Sequence, residues 1–451
     1  MRLLSITAGA GAMYCGSCLR DNALAAELMA RGHDVSLLPV YTPTLTDEPN
    51  VSGHRVFFGG ISVYLQQHVP LFRHTPAIFD RVWDAPAVLR TVAGRSMSAV
   101  DPRFLGAMTV SMLRGEDGFQ SKEIVKLVDW LRGQPPFDLV VLPNSLLLGL
   151  APPLVRALGR PVCCTLQGED LFLQCLPAED REESLRLIRS HRESIARFIA
   201  VSDFYAEHMA GYLDLPRARI RTVPLGIHVA DQAEAPAAPT PMAAPQPPAS
   251  RPPQPFTVGF FARIAPEKGL HMLAEAYALM RRDGRVPAGR LEAAGYLAPE
   301  HHGYLEKIQA GLAAAGFAAE FHYRGALDRE AKIHFLRSLD VASVPSPYPE
   351  PKGMSVLEAL ACGTPVVQPR HGAFPELLAR TGGGVLFAPG DVASLAAAIV
   401  ALHDDPYRRK ALGEQGARGV RREYSVGRMA ERAIEVYDEA IREAASPAVP
   451  A

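Results

Sequence analysis

Cysteine is scarce in this chain and irregularly placed, six among 451 residues at positions 15, 18, 163, 164, 175 and 362. That excludes a disulfide framework. Neither sign of charge is in excess, with 47 Lys and Arg against 48 Asp and Glu and a formal net charge of −1. A nucleic-acid partner therefore has no electrostatic footprint here. No run approaches the about eighteen unbroken apolar residues of a membrane span. The opening Met1-Arg2-Leu3-Leu4-Ser5-Ile6-Thr7 carries one charge and a short apolar run. Leu3 to Thr7 reads as a first β-strand rather than a leader, so the cytoplasm is the default expectation. Cys15-Gly16-Ser17-Cys18 has neither a second cysteine pair nor a set of histidines beside it, so small packing cysteines are expected and no metal.

What is present is a large globular composition, 48% apolar over a length that exceeds one ordinary core. Short apolar runs alternate with helical periodicity throughout, which predicts an α/β fold with parallel sheets covered on both faces. Strands are expected at Leu3 to Thr7, Asp34 to Val40, Asp138 to Leu142, Val162 to Leu166, Phe198 to Val201 and Ile220 to Val223. A second series falls at Phe256 to Phe261, Leu291 to Ala294, Glu320 to Tyr323, Val341 to Val344, Pro365 to Gln368 and Val385 to Phe387. Between them, 231–255 is nearly all Ala, Pro, Gln, Thr and Ser, and reads as a linker or surface loop without chemistry. The expected division is thus a first domain over 1–230, the linker, a second domain over 256–424 and a helix over 425–445.

The most informative stretch is Pro345-Ser346-Pro347-Tyr348-Pro349-Glu350-Pro351-Lys352-Gly353-Met354-Ser355 and the helix it enters. Gly353 opens that helix, and Gly363 with Pro365 closes it. The backbone N–H groups of Gly353, Met354 and Ser355, with the positive end of the helix dipole, suit a diphosphate. Glu350 stands in the loop, whereas Glu358 lies inside the helix among Val356, Leu357, Ala359, Leu360 and Ala361. A carboxylate in such apolar company needs a partner. Farther upstream, Phe256 to Phe261 leads into Ala262-Arg263-Ile264-Ala265-Pro266-Glu267-Lys268-Gly269. Pro266 suits a first helical position, which puts Lys268 in the first turn, where the dipole disfavours a cation unless an anion is near. Arg263 as a fork and Lys268 as a point charge form a candidate diphosphate clamp.

These motifs resemble the GT-B glycosyltransferases, in particular the large retaining family marked by Glu, seven residues, Glu. The resemblance implies two Rossmann-like β/α/β domains facing across a cleft. It implies that Glu350 contacts the donor sugar, that Glu358 binds the ribose hydroxyls, and that Gly353, Met354 and Ser355 serve sugar and phosphate. Arg263 and Lys268 would hold the leaving nucleoside diphosphate without a metal, so no cofactor is expected beyond a nucleotide-sugar co-substrate. This chain departs from the family's Gly-Phe-Gly with Pro351-Lys352-Gly353, which leaves the donor open. The helix from Ser425 to about Arg442 would be the one that crosses back to the first domain.

The first domain would bind the acceptor. Its first turn runs Gly9-Ala10-Gly11-Ala12-Met13-Tyr14-Cys15-Gly16, followed by a helix from about Cys18 to Arg31 with Ser17 as cap. Its spacing is not that of a dinucleotide fingerprint. By the resemblance, this loop, with Gly11 and Gly16, lines the cleft, and Arg20 in the first turn either meets an anionic group or is solvated. Thr165-Leu166-Gln167-Gly168-Glu169-Asp170 stands at the C-terminal end of a strand, where open α/β sheets bind ligands. Many resembled enzymes have His where this chain has Gln167, which can hydrogen-bond a sugar hydroxyl but does not titrate. Glu169 and Asp170 are candidates for acceptor hydroxyls or for an exposed acidic loop. Residues 41–130, with Trp83, read as an acceptor-binding insert or an extension of the core.

The expectation is a hexosyltransferase using a nucleotide sugar and a hydroxyl acceptor, with peripheral membrane contact if that acceptor is a lipid. A sugar-nucleotide epimerase and a non-catalytic nucleotide-sugar-binding protein are the alternatives. Base, sugar, acceptor and oligomeric state are not legible.

Overall fold

The computed structural model describes residues 1–9, 15–53, 56–58, 66–67, 102–229 and 255–445. They fall into two compact units, one formed by Met1–Leu225 with Met429–Ala451 and the other by Gly226–Arg428. Gly11, Trp83 and residues 231–254 of the expected linker lie outside the described residues.

The first unit is built on a parallel sheet of β1 (Arg2–Thr7), β2 (Asp34–Pro39), β3 (Leu139–Leu142), β4 (Val162–Leu166), β5 (Arg197–Ala200) and β6 (Ile220–Thr222), in the order β2-β1-β3-β4-β5-β6. Its strands read as unbroken apolar runs because helices cover both faces; Leu139, Val140 and Leu142 are fully buried. Two of those helices, Pro102–Leu113 and Ser121–Arg132, place Val110, Leu113, Ile124, Leu127 and Leu131 in the main core. Phe57 and Phe58 join the same core, and Phe57 packs on Trp130 with ring centroids 5.3 Å apart. The described part of the 41–130 region thus contributes side chains to this core. The helix Val426–Ala445 turns Met429, Ala430, Ala433, Val436, Tyr437 and Ala440 inward. Its Glu439 bridges Arg197 and Arg221 on β5 and β6.

The second unit holds β7 (Phe256–Phe261), β8 (Gly289–Ala294), β9 (Phe321–Tyr323), β10 (Val341–Ala342), β11 (Val366–Pro369) and β12 (Gly384–Phe387), in the parallel order β12-β11-β10-β7-β8-β9. β7 lies between β8 and β10, so the chain reverses its direction of travel across the sheet at the β7–β10 pair. Loops leaving the C-terminal ends of strands at such a point diverge and leave a crevice. All twelve expected strands are present, with ends displaced by at most two residues. β10 is the shortest because Pro345, two residues past the Ser343 N–H bond to Gly259, has no N–H to extend the ladder. Among the described residues no helix is long and apolar enough to cross a membrane.

Candidate active site

The loops after β7 and β10 are knitted together before any charged side chain is considered. Pro266–Lys268 forms a 3-10 turn, and Gly269 follows with φ +79° as the cap of the helix Leu270–Arg282. A Cβ on Gly269 would stand 2.1 Å from the carbonyl oxygen of Pro345, so only glycine permits this approach. Ser346 Oγ lies 2.7 Å from the Glu267 carbonyl and 2.8 Å from that of Tyr348. Lys268 therefore sits in a separate turn ahead of the α-helix rather than in the helix's own first turn, because Gly269 in the left-handed region breaks the continuity.

From that turn the Lys268 ammonium donates to Glu350 Oε2. Their side chains are 19% and 14% exposed, close enough to solvent to receive a ligand and dry enough for the charges to matter. Glu350 is also fixed through its backbone. Ala373 N–H donates to its carbonyl at 2.8 Å, and a Cβ on Gly372 (φ +62°) would meet its N and O at 2.7 Å. Burial pushes the Glu350 carboxyl up, but the charge and hydrogen bond of Lys268, with Lys352 in support, outweigh it and hold the group below the ordinary glutamate value. Arg263 is half-exposed and donates to Glu267 Oε1 at 3.0 Å. Its fork is thus parked beside the turn that carries Lys268.

The helix Met354–Ala361 starts directly from this loop. Gly353 caps it with φ +68°, and the N–H groups of Met354 and Ser355 stand in its first turn, where no intrahelical carbonyl reaches them. At the other end Gly363 N–H donates to Leu360 and Thr364 N–H to Ala359, a Schellman closure that stops the helix before β11. Glu358 is buried at 8% exposure, and the partner its apolar setting demands is Lys332, whose Nζ donates to Oε1 at 2.7 Å. Lys332 was not singled out in the sequence. It shares a face of the helix Arg329–Arg337 with buried Phe335 and Leu336, and a lysine at i with apolar residues at i+3 and i+4 was the available signal.

In the first unit, Glu169 and Asp170 are buried rather than exposed, and their oxygens are committed to the protein. Glu169 accepts from Ser145 N and Oγ at 3.0 and 2.9 Å and from Gln167 N at 2.8 Å. Asp170 accepts from Tyr205 at 2.7 Å and lies 3.2 Å from His208 Nε2. Both carboxylates hold the loop after β4. Gln167 Nε2 donates to the Pro143 carbonyl at 2.7 Å, while its Oε1 has no partner among the described residues. Arg20 is buried at 2% exposure, not solvated. It reaches Asp21 at 3.0 Å, and its Nε and Nη2 find no acceptor among the described residues.

The first helix begins at Gly16, with Cys15 rather than Ser17 at the cap. Cys18 is buried, and its contact with Cys15 together with burial pushes its thiol well above the ordinary value. On β4 burial likewise raises Cys163, to about 12. Both thiols are thus disfavoured as thiolates in this setting.

Comparison with known proteins agrees with the two-unit division. Residues 246–419 match the family described as Glycosyl transferases group 1, and residues 22–226 match the Glycosyl transferase 4-like domain. An MMP alpha-(1->4)-mannosyltransferase of Mycolicibacterium hassiacum is 34% identical over 182 residues, 40% of this chain and 42% of that protein. A 2-deoxystreptamine N-acetyl-D-glucosaminyltransferase of Streptomyces fradiae is 31% identical over 287 residues, 60% of this chain and 66% of that one. The match thus spans less than two thirds of either relative. Among solved structures, a sucrose-phosphate synthase from Thermosynechococcus elongatus superposes with a TM-score of 0.68 over 99% of this chain and 100% of that one, at 18% identity. That likeness establishes the GT-B fold.

Proposed function

We propose, from the matches of residues 246–419 to the Glycosyl transferases group 1 family and of residues 22–226 to the Glycosyl transferase 4-like domain, that the chain moves a hexose from a nucleoside-diphosphate sugar to a hydroxyl acceptor, with retention at the anomeric carbon and without a metal. The observation that carries this reading is the Lys268–Glu350 pair beside the open start of the helix Met354–Ala361. Cation, carboxylate and free N–H groups there occupy one strand-end crevice, a setting suited to a sugar on a diphosphate.

In the proposed reaction the diphosphate lies against the Met354 and Ser355 N–H groups and Lys268, with Arg263 swinging from Glu267 to a phosphate oxygen. Glu350 accepts a hydroxyl of the donor sugar, and Glu358 a ribose hydroxyl. As the bond from C1 to the phosphate oxygen breaks, negative charge grows on the departing diphosphate, where these preorganised donors act. The acceptor oxygen bonds C1 on the same face, and its proton passes to the departing phosphate oxygen. Glu169 and Asp170, already occupied, have no part in it.

The test is a thermal-shift screen with UDP-, GDP- and ADP-hexoses, in which a ligand at about 100 times its dissociation constant adds about 2.7 kcal/mol of stability. The best donor is then incubated with glycan, lipid and small-molecule acceptors, and the product's anomeric configuration is read by NMR. A product of inverted configuration overturns the reading, and so does the absence of any nucleotide-sugar stabilisation.

A further inference from the structure

We propose that Lys332 is a positioning residue for nucleotide recognition, holding the Glu358 carboxylate in the charged, oriented state in which it accepts ribose hydroxyls. The proposal rests on reading Glu358 as the ribose ligand. The observation is an ion pair between two helices, with Lys332 Nζ 2.7 Å from Glu358 Oε1 and side chains only 8% and 10% exposed.

The chemistry leaves little freedom. Glu358 is the fifth residue of its helix and its neighbours Val356, Leu357, Ala359, Leu360 and Ala361 are all buried. A helical side chain leans toward its own N-terminus, so the carboxylate is directed toward the Gly353 end, where the proposed diphosphate would lie. Without a cation, burial favours the neutral acid, which has one acceptor oxygen fewer to offer a diol. Lys332 supplies that cation from the helix Arg329–Arg337, whose cap is fixed by Asp328 Oδ1 accepting from Ala331 N at 2.8 Å. Arg337 of the same helix and the Cys362 thiol at the end of the Glu358 helix complete the group, for Cys362 feels Arg337, Glu358 and Lys332 together. The lysine also restricts the rotation of the carboxylate by engaging Oε1.

The experiment compares wild type, Lys332→Met, Lys332→Gln, Lys332→Arg and Glu358→Gln by calorimetry. The probes are whichever of UDP, GDP or ADP binds wild type best, and the 2′,3′-dideoxy form of that nucleotide. The expected result is that Lys332→Met weakens binding of the ribonucleotide by about tenfold or more while the dideoxy form loses little, so that the preference for ribose collapses. Lys332→Arg keeps most of the preference. Lys332→Gln retains a donor without the charge and loses most of it, which gives a second reading if the Met variant folds poorly. A preference equal to wild type in the Lys332→Met and Lys332→Gln proteins, whatever their overall affinity, overturns the positioning role. An unchanged preference in Glu358→Gln shows instead that Glu358 does not bind the ribose, and the premise itself falls.

Discussion

Lys268 and Glu350 are separated by 82 residues of sequence, yet the lysine's ammonium donates directly to the glutamate's carboxylate. The cation of the turn after β7 and the carboxylate of the loop after β10 thus form one unit, brought together because those strands are neighbours at the point where the sheet changes direction. Substitution of either partner should disturb both.

Glu350→Gln should chiefly lower kcat, with a modest change in nucleotide affinity, whereas Glu358→Gln should raise the dissociation constant of the nucleoside diphosphate. Loss of a charge-assisted hydrogen bond costs about 1.5–3 kcal/mol, readable as a tenfold or larger change in binding. Unchanged diphosphate affinity in the Glu358 variant would remove it from ribose recognition.

Arg263→Ala and Lys268→Ala should each depress turnover by about 10²-fold, the scale on which one preorganised charge stabiliser acts. Steady-state assays with and without a strong chelator provide the control, since these cations are proposed to serve in place of a metal. Metal-reversible inactivation by the chelator would contradict that role.

Gly269→Ala and Gly363→Ala both force a side chain into positive φ, +79° and +81°, but only the first meets an obstacle. Its Cβ would stand 2.1 Å from the Pro345 oxygen, while that of Gly363 meets nothing within 4 Å. The Gly363 variant should lose about 1–2 kcal/mol of stability from backbone strain alone. Gly269→Ala should lose more, and should also lose activity as the Glu350 loop is displaced. Equal melting temperatures for the two variants would refute the close approach.

Glu350 also predicts a pH dependence of stability. Its folded pKa lies below the unfolded value of about 4.3, so its contribution is complete above that value and is lost as pH falls through the folded one. Urea midpoints of wild type and Glu350→Gln should differ most near neutrality and converge in acid. A gap that is constant with pH would mean that Lys268 does not stabilise the ionised form.

How far the sequence reveals this molecule depends on the range of the interaction. The strands were legible because a parallel strand buried on both faces announces itself by its own residues, as Leu139–Leu142 and Phe256–Phe261 do. Glu350, Arg263 and Lys268 are legible as candidates because each sits in a loop or turn at a helix start, and Glu358 because it is a carboxylate among apolar helical neighbours. Their partners were not, since neither Lys268–Glu350 nor Lys332–Glu358 is fixed by local spacing; strand order and helix packing decide them. The acidic pair Glu169 and Asp170 shows the reverse error. Two adjacent charges after a strand look solvent-facing, and only the positions of Ser145, Tyr205 and His208 reveal that the fold consumes them. The first helix likewise starts at Gly16, ahead of the position that Ser17 suggests, because a serine is a stronger local cap signal than a cysteine.

The return of the chain from Met429 onward to the first unit means that this unit is assembled from two stretches that flank the second. On a ribosome, the first sheet emerges early but waits through the whole second unit for the helix that buries Met429, Ala433 and Tyr437 and neutralises Arg197 and Arg221 with Glu439. The second unit suffers no such delay, since Gly226–Arg428 is continuous. A nascent chain halted near Tyr424 would therefore carry a nearly finished second unit behind an unfinished first one, and the earlier-made half would be the one in need of a chaperone.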